Sequence, residues 1–455
     1  MSELPEGWGK YALQEVSSLI TKGTTPTTIG FSYEKTGVSF VKIENIANNR
    51  IQKNSINQFI SEEAHAALLR SQLQENDVLF SIAGTIGKTA LVQKEDLPAN
   101  TNQAVAIIRV PSEITSYSFL QYQLSSLSRG FLADISRGGA MNNVSLGDIK
   151  NFDLRIPPLA EQTRIAQKLD ELLAQVDTLK ARIDAIPSLL KLFRQSVLTA
   201  AVSGRLTEEW RAASNIGEPR TSWEDTRLSE LCTLVTSGSR GWADYYSESG
   251  AIFIRSQDIN TDELDIADTA FVKLPESSEG KRTRVQAQDI LVTITGANVG
   301  KVARVKQPLP EAYVSQHVAL VRLQKPDNAP FIELYLKDIG SGRGELTELA
   351  YGGGKPGLNL SNIRDLAFML PSQDEQTEIV RRVEQLFAFT DQLESKVQSA
   401  KSRIDHLTQS ILAKAFRGEL VPQDPNDEPA SVLLGRIQAQ LAAAPKAKRG
   451  RKASA

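Results

Sequence analysis

The stretch IPPLAEQTRIAQKLDELLAQVDTLKARI, residues 156–183, decides how this chain is read. Within it Ile165, Leu169, Leu172, Val176, Leu179 and Ile183 step by four and three in turn, the spacing that lines apolar side chains along one helical seam with a seven-residue repeat. The seam continues through Ile186, Leu190, Phe193, Val197 and Ala200. An unbroken helix from Ile165 to Ala200 would be about 53 Å long, at about 1.5 Å per residue. Pro187 interrupts its hydrogen bonding, but the seam keeps phase on both sides, so a kink is expected rather than two helices. Gly204 stands where a left-handed residue would end it.

The same seam is written again at Ile379, Val383, Leu386, Thr390, Leu393, Val397, Ala400, Ile404, Leu407 and Ile411, with Thr390 its one polar position. Ser372 and Glu375 have capping-box spacing ahead of it, and Gly418 takes the place of Gly204. The duplication spreads outward from the seams. Pro157 with Glu161-Gln162-Thr163 becomes Pro371 with Glu375-Gln376-Thr377, and SVLTAAVSG (196–204) becomes SILAKAFRG (410–418). Trp8 recurs as Trp223, GVSFVKIENI (37–46) as GAIFIRSQDI (250–259), DVLF (77–80) as DILV (289–292) and QAVAIIR (103–109) as QHVALVR (316–322). So long a unit is a duplicated domain pair and not a solenoid repeat.

Between the seams lie short β-branched runs, VSFVKI, DVLFSI and AVAIIRV, repeated as AIFIRS, DILVTI and HVALVRL, with helical patches at 62–70 and 118–127. The class expected is α+β: two similar mixed α/β domains over residues 1–156 and 211–370, and two helical spacers over 157–210 and 371–421. Pairing the two seams antiparallel as a coiled coil makes the two domain-to-domain steps equivalent and gives the monomer an internal pseudo-two-fold axis. Two helices of an ordinary bundle are the plainer alternative. Residues 422–455 read as a flexible basic tail, poor in aromatics and carrying five basic residues from Lys446 to Lys452.

Composition narrows the chemistry. Fifty-two Lys and Arg against 54 Asp and Glu leave a net charge of −2, so no broad cationic field draws in phosphate, and any DNA contact must be local or shared with a partner. No apolar run is long enough to span a membrane, and MSELPEGW lacks a secretory pattern, which makes the cytoplasm the expected location. Cys232 has no second cysteine, and His65, His317 and His406 are scattered, so neither a disulfide nor a cysteine-based zinc site is expected. The turn Gly84–Thr89 looks like the end of a phosphate loop, but Ile82 occupies the position of the leading glycine.

With those residues in place, IPPLAEQTRIAQKLDELLAQVDTLKARI, FRQSVLTAAVSGRLTEEWR (193–211), EQTEIVRRVEQLFAFTDQLE (375–394) and LTQSILAKAFRGEL (407–420) resemble the conserved regions of the specificity subunit of type I restriction-modification enzymes. The resemblance spans nearly all of residues 1 to about 435. It implies two target recognition domains, each reading one half of a bipartite, asymmetric target on double-stranded DNA, with the coiled coil setting their spacing. It also implies partners: two modification subunits, which methylate adenine N6, and restriction subunits, which translocate and cleave. S-adenosylmethionine, ATP and Mg2+ are then expected through those partners, with no cofactor or metal bound by this chain and no catalysis of its own. In keeping with that, the [DN]-P-P-[YF] loop of an adenine methyltransferase is absent, since Pro157-Pro158 is flanked by Ile156 and Leu159.

Reading bases calls for hydrogen-bonding side chains on loops. The first half offers Lys22, Thr24, Thr25, Lys42, Glu44, Asn45, Lys88, Asn102 and Gln103. Matching positions in the second half offer Ser237, Ser239, Arg240, Arg255, Gln257, Asp258, Lys301, Ser315 and Gln316. Unlike polar residues on corresponding loops are what a duplicated scaffold reading two different half-sites should carry. Solvated loop surface is the competing account of each residue, and a coiled-coil scaffold whose globular domains bind proteins is the competing account of the whole. The glycine-rich segments 137–143 and 352–357 could bring backbone N–H groups to phosphates or serve as connectors.

Overall fold

The computed structural model describes residues 4–138, 144–274, 282–350 and 357–443. It divides into two compact units, one built from residues 1–182 and 400–455 and the other from 183–399. Each unit therefore holds one domain, the start of one long helix and the end of the other.

The sheets show the duplication strand by strand. In the first unit a four-stranded antiparallel sheet runs in the order Leu19–Lys22, Val105–Arg109, Val78–Ser81, Thr89–Leu91. In the second the order is Cys232–Ser237, Val318–Leu323, Ile290–Thr293, Val302–Arg304. Beside each lies a smaller sheet with one parallel pair, Val38–Val41 on Ala99–Thr101 and Ala251–Ile254 on Ala312–Val314. A two-stranded antiparallel ribbon ties each domain's entrance to its exit, Gly9–Ala12 with Asp153–Ile156 and Glu224–Arg227 with Ala367–Leu370. The central strands are apolar because both faces are covered, and Val78–Phe80 and Val105–Ile108 are buried throughout. A carboxylate at the head of one strand is clamped in both units: Arg109 forks onto buried Asp77, and Arg322 onto buried Asp289, each at 2.7 Å.

The spacer helices are Leu159–Val202 and Gln373–Ala415. The first passes through Pro187 as a single helix, so the proline does not split it. Gly204 and Gly418 end the two helices at φ 76° and 75°, left-handed as expected. In the second unit the helices cross antiparallel: Arg194 pairs with Asp391 at 2.5 Å, while farther along Val197, Leu198 and Ala201 share an apolar cluster with Ile379 and Val383. Seam burial is uneven. Ile165, Leu169, Val176, Ile379, Val383 and Ile404 are buried and Leu172, Ile183, Leu386, Leu393 and Val397 half-buried, but Leu179 (47%), Phe193 (40%) and Leu407 (45%) stay exposed. Thr390, the polar break, is fully buried and gives its hydroxyl proton to the Phe387 carbonyl at 2.7 Å, so the break costs no unpaired group.

Two expectations change. The tail is not irregular throughout: after residues 422–429, Ala430–Ala443 is a helix, and Ala430, Leu433 and Leu434 sit in the first unit's core with Phe80, Leu120 and Ile156. The Ala430 N–H donates to the Gly7 carbonyl at 2.9 Å, tying this segment to the chain start. Spacing of three and four residues puts those apolar groups on one helical face, a signal hidden by the polar composition around it. Lys446–Lys452, 139–143 and 352–356 lie outside the described residues. Second, Ser372 and Glu375 make only half of a capping box. Ser372 Oγ accepts from the Glu375 N–H at 3.4 Å, but the Glu375 carboxylate turns inward to Trp223 and Arg211.

Candidate nucleic-acid interface

Each domain stitches two loops together at the end of its main sheet. In the first unit the chain leaves strand Leu19–Lys22 through Gly23, whose N–H donates to the Val105 carbonyl, and the Thr24 N–H donates to the Thr101 carbonyl, both at 3.1 Å. A Cβ on Gly23 would lie 2.1 Å from the Thr101 carbonyl oxygen, so only glycine permits this approach. Gly238 repeats the arrangement, donating to the Ser315 carbonyl at 3.2 Å, with a Cβ position 2.1 Å from the Val314 oxygen.

Side chains differ on these matched frames. Lys22 and Gln103 are exposed, Thr24 and Thr25 half-buried, and the Thr25 hydroxyl bonds the Gln103 side-chain oxygen. Asn102 turns back to accept from the Ala104 N–H at 3.1 Å. In the second unit Arg240 and Gln316 are exposed and Ser237 and Ser239 half-buried, while Ser315 is buried and accepts from the His317 N–H at 3.4 Å. His317 in turn bonds Thr295 and the Gln316 amide. In the sequence His317 is one of three scattered histidines, and its place beside Gln316 in a matched loop is the signal that marks it.

A second pair of turns follows the parallel strands. Asn45 is 2% exposed, accepting from the Lys42 N–H at 2.8 Å and donating to the Ser55 carbonyl at 2.8 Å. Its counterpart Asp258, 5% exposed, accepts from the Arg255 N–H at 2.7 Å and pairs with the Arg255 guanidinium at 3.1 Å. Both side chains are spent holding their turns. Glu44 and Gln257, one residue earlier, occupy the same turn position and are exposed. Lys42 lies 5.2 Å above the Tyr33 ring, where the ring face favours its charge.

The third pair is Lys88 and Lys301. Lys88 Nζ donates to the Ile43 carbonyl at 3.3 Å. Lys301 Nζ instead meets the Asp262 carboxylate at 3.3 Å, which also binds Arg343. Burial alone would push the Asp262 carboxyl up, but Arg343, the Val302 N–H and Lys301 outweigh it and hold the carboxyl below the usual carboxylate range. The first unit has Asn49 at that position, in the same left-handed conformation, and so lacks the anion that neutralises the second unit's lysine. Among the described residues no group of three or more His, Cys, Asp or Glu is placed to hold a metal ion.

The sequence family described as type I restriction modification DNA specificity domain matches residues 5–188 and again residues 221–400. This chain belongs to that family. Among curated type I specificity subunits, that of EcoKI from Escherichia coli K12 is 31% identical over 471 residues, covering 99% of both chains. The EcoBI specificity subunit of Escherichia coli is 32% identical, covering 98% of this chain and 95% of its own. Two solved structures share the fold of this specificity subunit. One, from work on complex assembly and conformational transition of the type I R-M system, has a TM-score of 0.65 at 19% identity, covering 92% of this chain and all of the other. The HsdS subunit of Thermoanaerobacter tengcongensis has a TM-score of 0.57 at 21% identity, covering 92% and 99%. Among the described residues of this specificity subunit, no helix is long and apolar enough to cross a membrane.

Proposed function

We propose that each domain reads one half of a bipartite, asymmetric sequence on double-stranded DNA, and that the spacer helices set the distance between the halves. The observation that carries this is one backbone frame presenting different groups at matched positions: Glu44 in one turn and Gln257 in the other, and Ala104 after Gln103 in one loop where exposed His317 follows Gln316 in the other. A shared frame with unlike donors and acceptors is how one scaffold distinguishes two sequences. Lys22, Thr24, Thr25, Lys42 and Lys88 in the first half, and Ser237, Ser239, Arg240 and Arg255 in the second, would serve as phosphate or base contacts, with Asn45, Asn102, Asp258 and Ser315 holding the turns from within and Lys301 engaged by Asp262.

In this reading the chain performs no chemistry. Two modification subunits and the restriction subunits dock on the spacers and bring S-adenosylmethionine, ATP and Mg2+ for adenine N6 methylation and cleavage in the cytoplasm. Exposed seam residues Leu179, Phe193 and Leu407 supply apolar surface for that docking. With a net charge of −2, most phosphate contacts fall to the partners, so the chain alone should bind DNA weakly and the complex tightly.

The test is to co-express the chain with the modification subunit and map adenine methylation across a genome. Gln257→Ala with Arg240→Ala should relax one half of the methylated motif and leave the other unchanged. A motif that does not respond to exchange of residues 1–156 or 211–370 would leave a protein-binding scaffold as the better account.

A further inference from the structure

The two halves differ where a domain meets the end of a spacer helix. In the second unit helix Ala329–Lys337 is sealed against the first spacer helix: Asp338, 1% exposed, accepts from the Thr199 hydroxyl at 2.7 Å and the Gln195 amide at 2.8 Å. Three residues earlier, the Tyr335 ring stacks on Phe368 with centroids 4.6 Å apart, and its hydroxyl donates to the Ala367 carbonyl at 3.2 Å. Phe119 and Phe331, each 1% exposed, fix the register between the two halves. By that register Gln123 replaces Tyr335 and Ser126 replaces Asp338, while SILAKAFRG puts Gln409 and Ala413 in place of Gln195 and Thr199.

With Gln123 for Tyr335, Ser126 for Asp338 and Ala413 for Thr199, the ring stack and the hydroxyl-to-carboxylate bond of the second unit cannot form, although Gln409 keeps the amide of Gln195, and a pocket of about 310 Å³ stands at this place in the first unit. Leu127, Ala413 and Phe416 give it an apolar wall. Gln123, 3% exposed, donates to the Arg155 carbonyl at 2.8 Å, and its side-chain oxygen has no partner among the described residues. Arg155 donates one N–H to the Phe416 carbonyl at 3.0 Å and has no carboxylate partner among the described residues. The other charges at the rim are matched, Arg417 by Glu419 at 2.8 Å and Asp153 by Lys10 at 2.7 Å. What the pocket lacks by comparison with the second unit is the Tyr335 ring and the Asp338 carboxylate.

We propose that this pocket receives a segment of a partner protein carrying an aromatic and an acidic side chain, the ring against Leu127, Ala413 and Phe416 and the carboxylate on Arg155. The inference rests on the reading of the chain as a subunit that assembles with protein partners. The second half fills its own junction with the same two kinds of group, Tyr335 and Asp338, which is the template for the occupant; the acid partner differs, because Asp338 meets Thr199 and Gln195 while Arg155 stands where the second half has Met369. An aromatic ring brings apolar area to the wall, and a carboxylate meets Arg155, an exposed guanidinium with no carboxylate partner among the described residues and with N–H groups left for two parallel hydrogen bonds. DNA fits poorly, because the apolar wall of Leu127, Ala413 and Phe416 offers a phosphate no partner.

Two measurements test this. Saturation-transfer NMR on the full chain should detect 4-hydroxyphenylacetate and not tyramine, which has the same ring with a cation. Arg155→Met should weaken the acid about tenfold, and Gln123→Tyr with Ser126→Asp, which installs the second half's filling, should abolish it. Equal signals from acid and amine, or an unchanged signal in the filled variant, overturn the proposal. In the purified complex, a photocrosslinking residue at Leu127, or at Ala413 if that placement blocks assembly, should capture a partner peptide with acidic and aromatic residues within one helical turn. Capture of DNA, or no capture in an assembled complex, overturns it as well. The NMR arm needs no DNA specificity, so its failure is distinct from failure of the methylation experiment.

Discussion

Glu161 and Glu375 occupy the same place in the two halves, in the first turn of each spacer helix, and both are 1% exposed. Each accepts an indole N–H from the start of its domain, Trp8 at 3.1 Å and Trp223 at 2.8 Å. There the likeness ends. Glu375 also takes Arg211 at 2.6 Å and Thr207 at 2.8 Å, a buried ion pair with its acceptor sites filled. In the first half those two positions are Pro425 and Val421, and one Glu161 oxygen has no partner among the described residues. Burial drives the Glu161 carboxyl above the ordinary glutamate range, with Trp8 and Arg164 only partly opposing it, since Arg164 is engaged by Asp427 at 2.6 Å. A duplicated scaffold has kept the position of a buried carboxylate and lost its countercharge in one copy.

Breaking the better-matched site should have the larger effect. Arg211→Met strands a charge that is 1% exposed, and losing one partner of a buried pair typically costs about 3–5 kcal/mol. Denaturant titration of the full chain should show a transition destabilised by that order, and Arg211→Met with Glu375→Gln should recover most of it. If the double variant is no better than the single, the loss comes from packing of the arginine stem and not from the stranded carboxylate. Trp223→Phe keeps most of the ring and removes one donor, so about 2 kcal/mol is expected, the cost of leaving a buried acceptor short of a hydrogen bond.

The first half should respond in the opposite direction. Glu161→Gln keeps an acceptor for the Trp8 indole and removes the poorly compensated charge, so a gain of about 1 kcal/mol at neutral pH is expected. Because the folded-state pKa is raised, the folded chain holds its proton more tightly than the unfolded one. Wild-type stability from this group is therefore full below the unfolded glutamate pKa and declines as pH rises through the folded value. The glutamine variant does not titrate, so its advantage should be small in acid and grow towards neutrality. A constant advantage across pH would show that Glu161 keeps its ordinary pKa.

These networks also show what sequence can carry. The seams and the repeat were legible because each is a matter of periodicity along the chain, and Ile165 to Ala200 declares itself in a single window. Glu375 reads as a cap in the sequence because Ser-x-x-Glu has the same spacing whether the carboxylate caps the helix or turns inward, and the deciding donors, Trp223 and Arg211, are more than 150 residues away. Recurrence of both Trp8 with Glu161 and Trp223 with Glu375 at nearly one offset was the signal that could have joined them. Among the loop residues, sequence alone could not separate Asn45 and Asp258, consumed by their own turns, from Glu44 and Gln257 one position away. Burial is a property of the folded turn, and adjacent positions on it differ entirely.

The smallest effect sharpens the contrast between buried and exposed pairing within one unit. Arg194 meets Asp391 at 2.5 Å where the spacers cross, a distance as short as that of Arg211 to Glu375, yet Asp391 is 67% exposed. Water screens both charges, and exposed pairs of this kind contribute about 0.2–1 kcal/mol. Arg194 also lies 5.2 Å from the Phe387 ring centroid, a contact that survives removal of the carboxylate. Asp391→Asn should therefore cost less than about 0.5 kcal/mol in low salt, and the cost should vanish near 1 M salt, where the screening length falls to about 3 Å. A loss comparable to that of Arg211→Met would mean that water is excluded from this crossing when the chain is assembled, and that exposure, not distance, had been the wrong guide to its strength.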